Sequence, residues 1–98
     1  MNLSVVFRRP ARQEFGEAID WYENQCEGLG VRFSAAVERV LVQAAANPLR
    51  YAKVHGEIPE GLVPHFPYVV YYIDEPDRIV VLAVFHASRN PAIWQGRS

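Results

Sequence analysis

The stretch Phe66-Pro67-Tyr68-Val69-Val70-Tyr71-Tyr72-Ile73, followed by Asp74-Glu75-Pro76-Asp77 and then Arg78-Ile79-Val80-Val81-Leu82-Ala83-Val84-Phe85, decides the fold. The two flanks are rich in β-branched and aromatic residues, which suit a pleated, packed surface, while the acidic and proline-bearing middle suits a turn. The spacing predicts a β-hairpin with a four-residue loop, Asp74 to Asp77. Such a loop places Ile73 opposite Arg78. Phe66, Tyr68, Val70 and Tyr72 then share one face with Ile79, Val81, Ala83 and Phe85. The other face carries Pro67, Val69, Tyr71, Ile73, Val80, Leu82 and Val84, with His65 and His86 as neighbours at its open end. Both faces are apolar, so these are central strands covered on two sides.

Upstream of the hairpin, Leu3, Val5 and Phe7 alternate as a short strand, and Arg9-Pro10 opens a helix with proline in the first turn. Ala11, Phe15, Ala18, Ile19, Tyr22 and Cys26 recur at helical spacing as one apolar stripe, which makes Cys26 a small core filler. Glu14, Glu17, Asp20, Glu23 and Glu27 form an acidic face that is expected to meet solvent. Gly28-Leu29-Gly30 ends this helix, and Phe33, Val37, Val40, Leu41 and Ala44 mark a second one, stopped at Asn47-Pro48. So short a connection makes the two helices an antiparallel αα-hairpin. Tyr51 to Val54 is a candidate strand, and Ile58-Pro59-Glu60-Gly61 a loop or ragged edge. The expected order is β-α-α-β-β-β: an α+β fold with a small antiparallel sheet and the αα-hairpin on one face. The other face is either covered by a satellite core formed by the C-terminal segment, with Trp94 packed back onto the sheet, or left as a surface for a partner.

The 98 residues allow one domain, 1–98, whose core buries only about 60–65% of the unfolded surface. Ten basic and eleven acidic residues give a net charge of −1, without the basic excess of a dedicated nucleic-acid binder. Nine of the ten cations are Arg, and Lys53 is the one Lys. Cys26 is the lone cysteine, which excludes an intrachain disulfide. The longest apolar run, Ile79 to Phe85, is far short of the roughly 20 residues of a membrane helix, and no signal-peptide pattern opens the chain. A cytoplasmic protein is expected. His55, His65 and His86 are too scattered for a metal site, no phosphate-binding glycine loop occurs, and no cofactor, membrane or small-molecule substrate is expected.

Several stretches, in this order, resemble the RelE/ParE superfamily of toxins from bacterial type II toxin–antitoxin modules. They are Ala11 to Tyr22, Gly28-Leu29-Gly30 with Phe33, Asn47-Pro48, Phe66 to Tyr72, and Val84-Phe85-His86-Ala87-Ser88-Arg89-Asn90-Pro91 with Trp94 and Arg97. The resemblance implies a small toxin held inactive by a cognate antitoxin. Its ParE-like members poison DNA gyrase, and its RelE-like members cut mRNA on the ribosome with basic side chains. The helices and the Phe66-Pro67-Tyr68 strand look more ParE-like. Between Lys53 and Arg78 there is no Lys or Arg, and His65 stands where the nucleases often carry an Arg. The expectation is therefore gyrase poisoning. The alternatives are a ribosome-dependent mRNA endoribonuclease and an inactive interaction module of the same fold.

For the nuclease alternative the candidate catalytic groups are His86, Arg89 and His65, with Lys53 or Arg50 assisting. An imidazole can move the proton of a ribose hydroxyl and a guanidinium can stabilise the phosphorane charge. The structural alternative is that His86 packs at a strand end and Arg89 pairs with a carboxylate. Antitoxin binding is placed at Trp21, Tyr22 and Phe33, bordering a groove between the two helices, with helix-in-groove docking and strand addition as the modes. Arg8, Arg9 and Arg12 cluster at the start of the first helix, against its dipole, as a second candidate patch.

Overall fold

The computed structural model describes residues 2–97. In chain order the elements are β1 (Ser4–Phe7), α1 (Arg9–Gln25), α2 (Leu29–Ala46), a 3-10 turn (Pro48–Arg50), β2 (Lys53–His55), β3 (Ile58–Leu62), β4 (Tyr68–Glu75), β5 (Arg78–His86) and α3 (Ala92–Gln95). The strands make one sheet in the order β1-β5-β4-β3-β2, so the β4–β5 hairpin is central, as its two apolar faces require. Phe33, Val37, Val40 and Leu41 of α2 and Ala11 and Ala18 of α1 pack with Val70, Val81 and Val84 on one face. On the other, the buried Trp94 of α3 stacks on Tyr71 with ring centres 3.9 Å apart, beside Val69, Leu82 and Phe85. The α+β layering is as expected, and of the two covers weighed for the second face it is the C-terminal segment, not a partner, that fills it around Trp94.

The sheet departs from expectation in two ways. Ile58–Leu62 is a strand, paired with β4 on one side and β2 on the other, giving one strand more than the sequence reading. Its Pro59 stands opposite Lys53 where the β2–β3 register shifts, an irregular position that tolerates a residue without an N–H. β1 runs parallel to β5, so the sheet is mixed rather than antiparallel.

The hairpin register also differs. Glu75 pairs with Arg78, leaving a two-residue turn, Pro76-Asp77, in place of the four-residue loop. Further along, Tyr72 pairs with Val81 and Tyr71 with Ala83, so Leu82 is the extra residue of a β-bulge. A one-residue insertion reverses every side chain beyond it. Val84 therefore joins the helix-covered core and Phe85 the opposite one. The expected pairing of His65 with His86 does not form: His86 is opposite Tyr68, and His65 sits in the turn before β4.

Two glycines shape the helical hairpin. Gly28 takes a left-handed conformation, φ 87°, at the turn into α2. Gly30 lies where the helices touch: a Cβ there would stand 2.6 Å from the Ile19 carbonyl oxygen. Cys26 falls past the last residue of α1 in extended backbone and is exposed, so it is not part of the buried stripe.

Candidate functional site

β1 ends opposite Val81, where the Arg8 N–H donates to the Val81 carbonyl at 2.9 Å, and the chain leaves to begin α1. Beyond that point the outer edge of β5 has no strand beside it. The bulge turns the Leu82 carbonyl toward this edge, and Arg97 Nη1 donates to it at 3.1 Å. The Val84 N–H donates to Glu14 Oε1 at 3.2 Å. Glu14 is also gripped by Arg97 at both oxygens, 3.0 and 2.8 Å, with Arg89 Nη1 at 3.7 Å. Its side chain keeps only 12% of its exposure. The α1 carboxylate and the C-terminal guanidinium thus substitute for a missing strand at the sheet edge, which would otherwise hold unpaired backbone groups.

Glu14 was expected on a solvent-facing acidic helix surface, and so was Glu23. Glu14 is instead drawn into the sheet edge, while Glu23 stays exposed and is engaged by backbone. Glu23 accepts hydrogen bonds from the Gly28 and Gly30 N–H groups at 2.8 and 2.9 Å, capping the start of α2 from the neighbouring helix. A carboxylate suits that place because the first N–H groups of a helix have no partner within it.

Next to the Glu14 cluster the bulge brings His86 to the helix-covered side, where Glu17 and Trp21 of α1, Tyr68 of β4 and Arg89 line a cavity of about 230 Å³. A second hollow of about 340 Å³, walled by Trp21, Tyr22, Pro67, Tyr68 and His86, continues it. Together they form a trough along α1. Trp21 is 58% exposed on its rim and meets Tyr22 edge-on, ring centres 5.1 Å apart. Burial pushes the phenols of Tyr68 and Tyr22 up, so both remain hydrogen-bond donors at neutral pH.

His86 has a fixed role here. Its Nδ1 accepts the Ser88 backbone N–H at 3.1 Å, with Ser88 Oγ at 2.8 Å. A backbone N–H only donates, so Nδ1 carries a lone pair and the neutral ring holds its proton on Nε2. That nitrogen is the ring's donor. Arg89 lies 4.3 Å above the Phe85 ring and faces Glu14, which is the carboxylate pairing weighed from sequence.

Of the candidate residues, the structure brings His86, Arg89, Trp21 and Tyr22 to one trough. His65 belongs to a different hollow, beside Arg32 and Arg39 of α2. Lys53 is on β2 at the far edge of the sheet, paired with Glu57 at 2.9 Å, and Arg50 donates to Gln43 at 3.0 Å. Phe33 is fully buried among Phe15, Tyr22, Phe66 and Tyr68 and fills the seam between the helices, so no open groove lies there. The open apolar groove is on the other side of α2: Leu3, Val5 and Phe7 of the β1 region face Leu41, Val42 and Ala45 across about 410 Å³. Arg8, Arg9 and Arg12 are exposed, with the Arg12 guanidinium 5.5 Å above the Phe7 ring. Sequence reasoning missed Glu14, Arg97 and Tyr68 as trough-building groups. The signal available was Arg97 itself, a cation late in the chain facing a helix with excess carboxylates.

Among the described residues no cluster of His, Cys, Asp and Glu could hold a metal ion, and no helix is long and apolar enough to cross a membrane. A family model described as the ParE toxin of the type II toxin–antitoxin system parDE matches residues 5–91. Among solved structures, a chain of the chromosomal ParDE toxin–antitoxin system from P. aeruginosa is similar in fold, with a TM-score of 0.74 at 10% sequence identity. That match covers 88% of this chain and 97% of the other. No curated protein matches the sequence.

Proposed function

Because the chain belongs to the ParE toxin family of type II toxin–antitoxin systems, we propose that it arrests growth by binding DNA gyrase and that a cognate antitoxin neutralises it in the cytoplasm. The observation that carries binding over cleavage is the state of the trough. Its carboxylates, Glu14 and Glu17, face an incoming phosphate chain, and Arg89 and Arg97 are turned onto Glu14. Holding mRNA needs cations that neutralise phosphates, and general-base catalysis needs an imidazole lone pair facing the ribose. The trough offers a donor, two phenols and a tryptophan, which is the chemistry of a protein contact.

For the antitoxin, the groove between β1 and α2 fits the apolar face of an amphipathic helix, and the outer edge of β1 has ladder groups for an added strand. Trp21 and Tyr22 supply a second contact around α1. The nuclease alternative keeps one observation in its favour, the meeting of His86, Arg89 and Tyr68 in one cavity.

Induced expression decides among the readings. Gyrase poisoning gives growth arrest with a DNA-damage response, stalled supercoiling and intact transcripts. Codon-phased mRNA ends that vanish in His86→Ala/Arg89→Ala establish the nuclease instead. Unaltered growth at high expression overturns both and leaves the inactive module. Relief of arrest by the adjacent small gene tests the antitoxin.

A further inference from the structure

On the side of α2 away from β1, Arg32, Ala35, Ala36 and Arg39 face Pro64 and His65 across a hollow of about 300 Å³. The two arginines are seven positions apart, so they stand on one stripe of the helix about 10.5 Å apart along its axis. Both are exposed, and no ion pair or side-chain hydrogen bond engages either among the described residues. No carboxylate lines the hollow. Arg32 is placed in the first turn of α2, where the helix dipole disfavours a cation, and the carboxylate at that end, Glu23, is committed to the Gly28 and Gly30 N–H groups. Between the arginines the floor is two alanines, low enough for a second chain to lie along the helix. The opposite wall is held by His65, which has φ 69° and is the one non-glycine residue with positive φ among those described. That conformation is sterically costly for a residue with a Cβ, and it sets the imidazole beside the arginine stripe.

We propose that this bracket receives an acidic helical segment of a partner protein, laid along α2 with carboxylates at i and i+7 against Arg39 and Arg32. Guanidinium groups grip carboxylates in a two-pronged fashion, and i to i+7 on the incoming helix repeats the same axial spacing. The uncompensated charge supplies orientation and speed of encounter. A nucleic acid is the poorer fit, because the chain carries a net charge of −1, α1 exposes Glu17 and Asp20, and the turn after it exposes Glu27. This inference goes beyond the toxin reading: it concerns a different surface and holds whatever the target of the trough.

Amide NMR spectra of the full chain test it with three probes: an alanine-based helical peptide bearing glutamates at i and i+7, a single-stranded oligothymidylate, and inorganic phosphate. The peptide is expected to shift Ala35, Ala36 and His65 saturably, and less as salt is raised. Arg32→Gln/Arg39→Gln should weaken it about fivefold to tenfold. Arg50→Gln/Arg78→Gln, which changes net charge equally, should leave affinity within about twofold. A glutamine version of the peptide should not bind. The proposal is overturned if the shifts fall elsewhere or are absent, if both double variants weaken binding alike, or if the oligonucleotide or phosphate engages these amides more tightly than the peptide.

Discussion

Replacing Arg97 by Met removes the guanidinium that holds Glu14 and the Leu82 carbonyl while keeping much of the side chain's apolar bulk. In the folded protein Glu14 would then keep the Val84 N–H and an Arg89 contact at 3.7 Å. Deleting one partner of a fully buried ion pair costs about 3–5 kcal/mol. Here the side chains keep 12% and 17% of their exposure, so water recovers part of the loss and about 2–3 kcal/mol is expected. At about 4–8 °C per kcal/mol for a domain of this size, the midpoint should fall by roughly 10–20 °C. Arg78→Met is the control. Its bond to Glu75 is shorter, 2.7 Å, but the side chains are 49% and 36% exposed, and its loss should leave the unfolding midpoint nearly unchanged. Thermal and urea unfolding followed by circular dichroism, on the single variants and Glu14→Gln/Arg97→Met, gives the coupling energy, expected at about 1–2 kcal/mol. Equal losses for Arg97→Met and Arg78→Met, or a coupling near zero, would refute the view that this pair closes the edge of β5.

Gly30→Ala should lower stability by about 1–2 kcal/mol despite alanine's better helix propensity, because its Cβ meets backbone, the Ile19 carbonyl, at 2.6 Å. Gly16→Ala, with nothing within 4 Å of the added carbon, should instead raise it by about 0.5–1 kcal/mol; urea midpoints that move the same way in both would contradict the assignment. Alkaline pH gives a further check. Burial, with a smaller contribution from Asp74, pushes the Tyr72 phenol up from its ordinary 10.0 to about 12. A raised folded pKa means stability is complete below pH 10 and is lost as pH climbs through 12, by roughly 3 kcal/mol at the limit. Tyr72→Phe, which also forfeits the 2.8 Å bond to the Pro48 carbonyl, should begin less stable and lose less between those pH values. An unchanged pH profile in tyrosinate absorbance and circular dichroism would count against it.

Much of the fold was legible because it rests on repeating patterns. The β-branched runs around Asp74–Asp77, the glycine break at Gly28 and the stop at Asn47 each report a local preference that the packed structure keeps. The strand at Ile58–Leu62 was not legible: proline and glycine weaken its own propensity, and it exists because β4 offers a partner. The site was half legible. His86, Arg89, Trp21 and Tyr22 were singled out by residue type. Yet Phe33 looks like a groove residue only until the seam between the helices is seen to be filled.

The alternation of apolar residues by itself determined that a two-helix hairpin covers a sheet with two apolar faces, since burying those surfaces leaves few other arrangements. Only the tertiary structure decided which way the end of β5 faces. The extra residue Leu82 reverses the side chains beyond it, carrying Val84 into the helix-side core and His86 beneath Trp21, and it leaves a backbone edge that Glu14 and Arg97 close from 83 residues apart. Pleat parity is set by pairing with neighbouring strands, and nothing in the local run of residues specifies it.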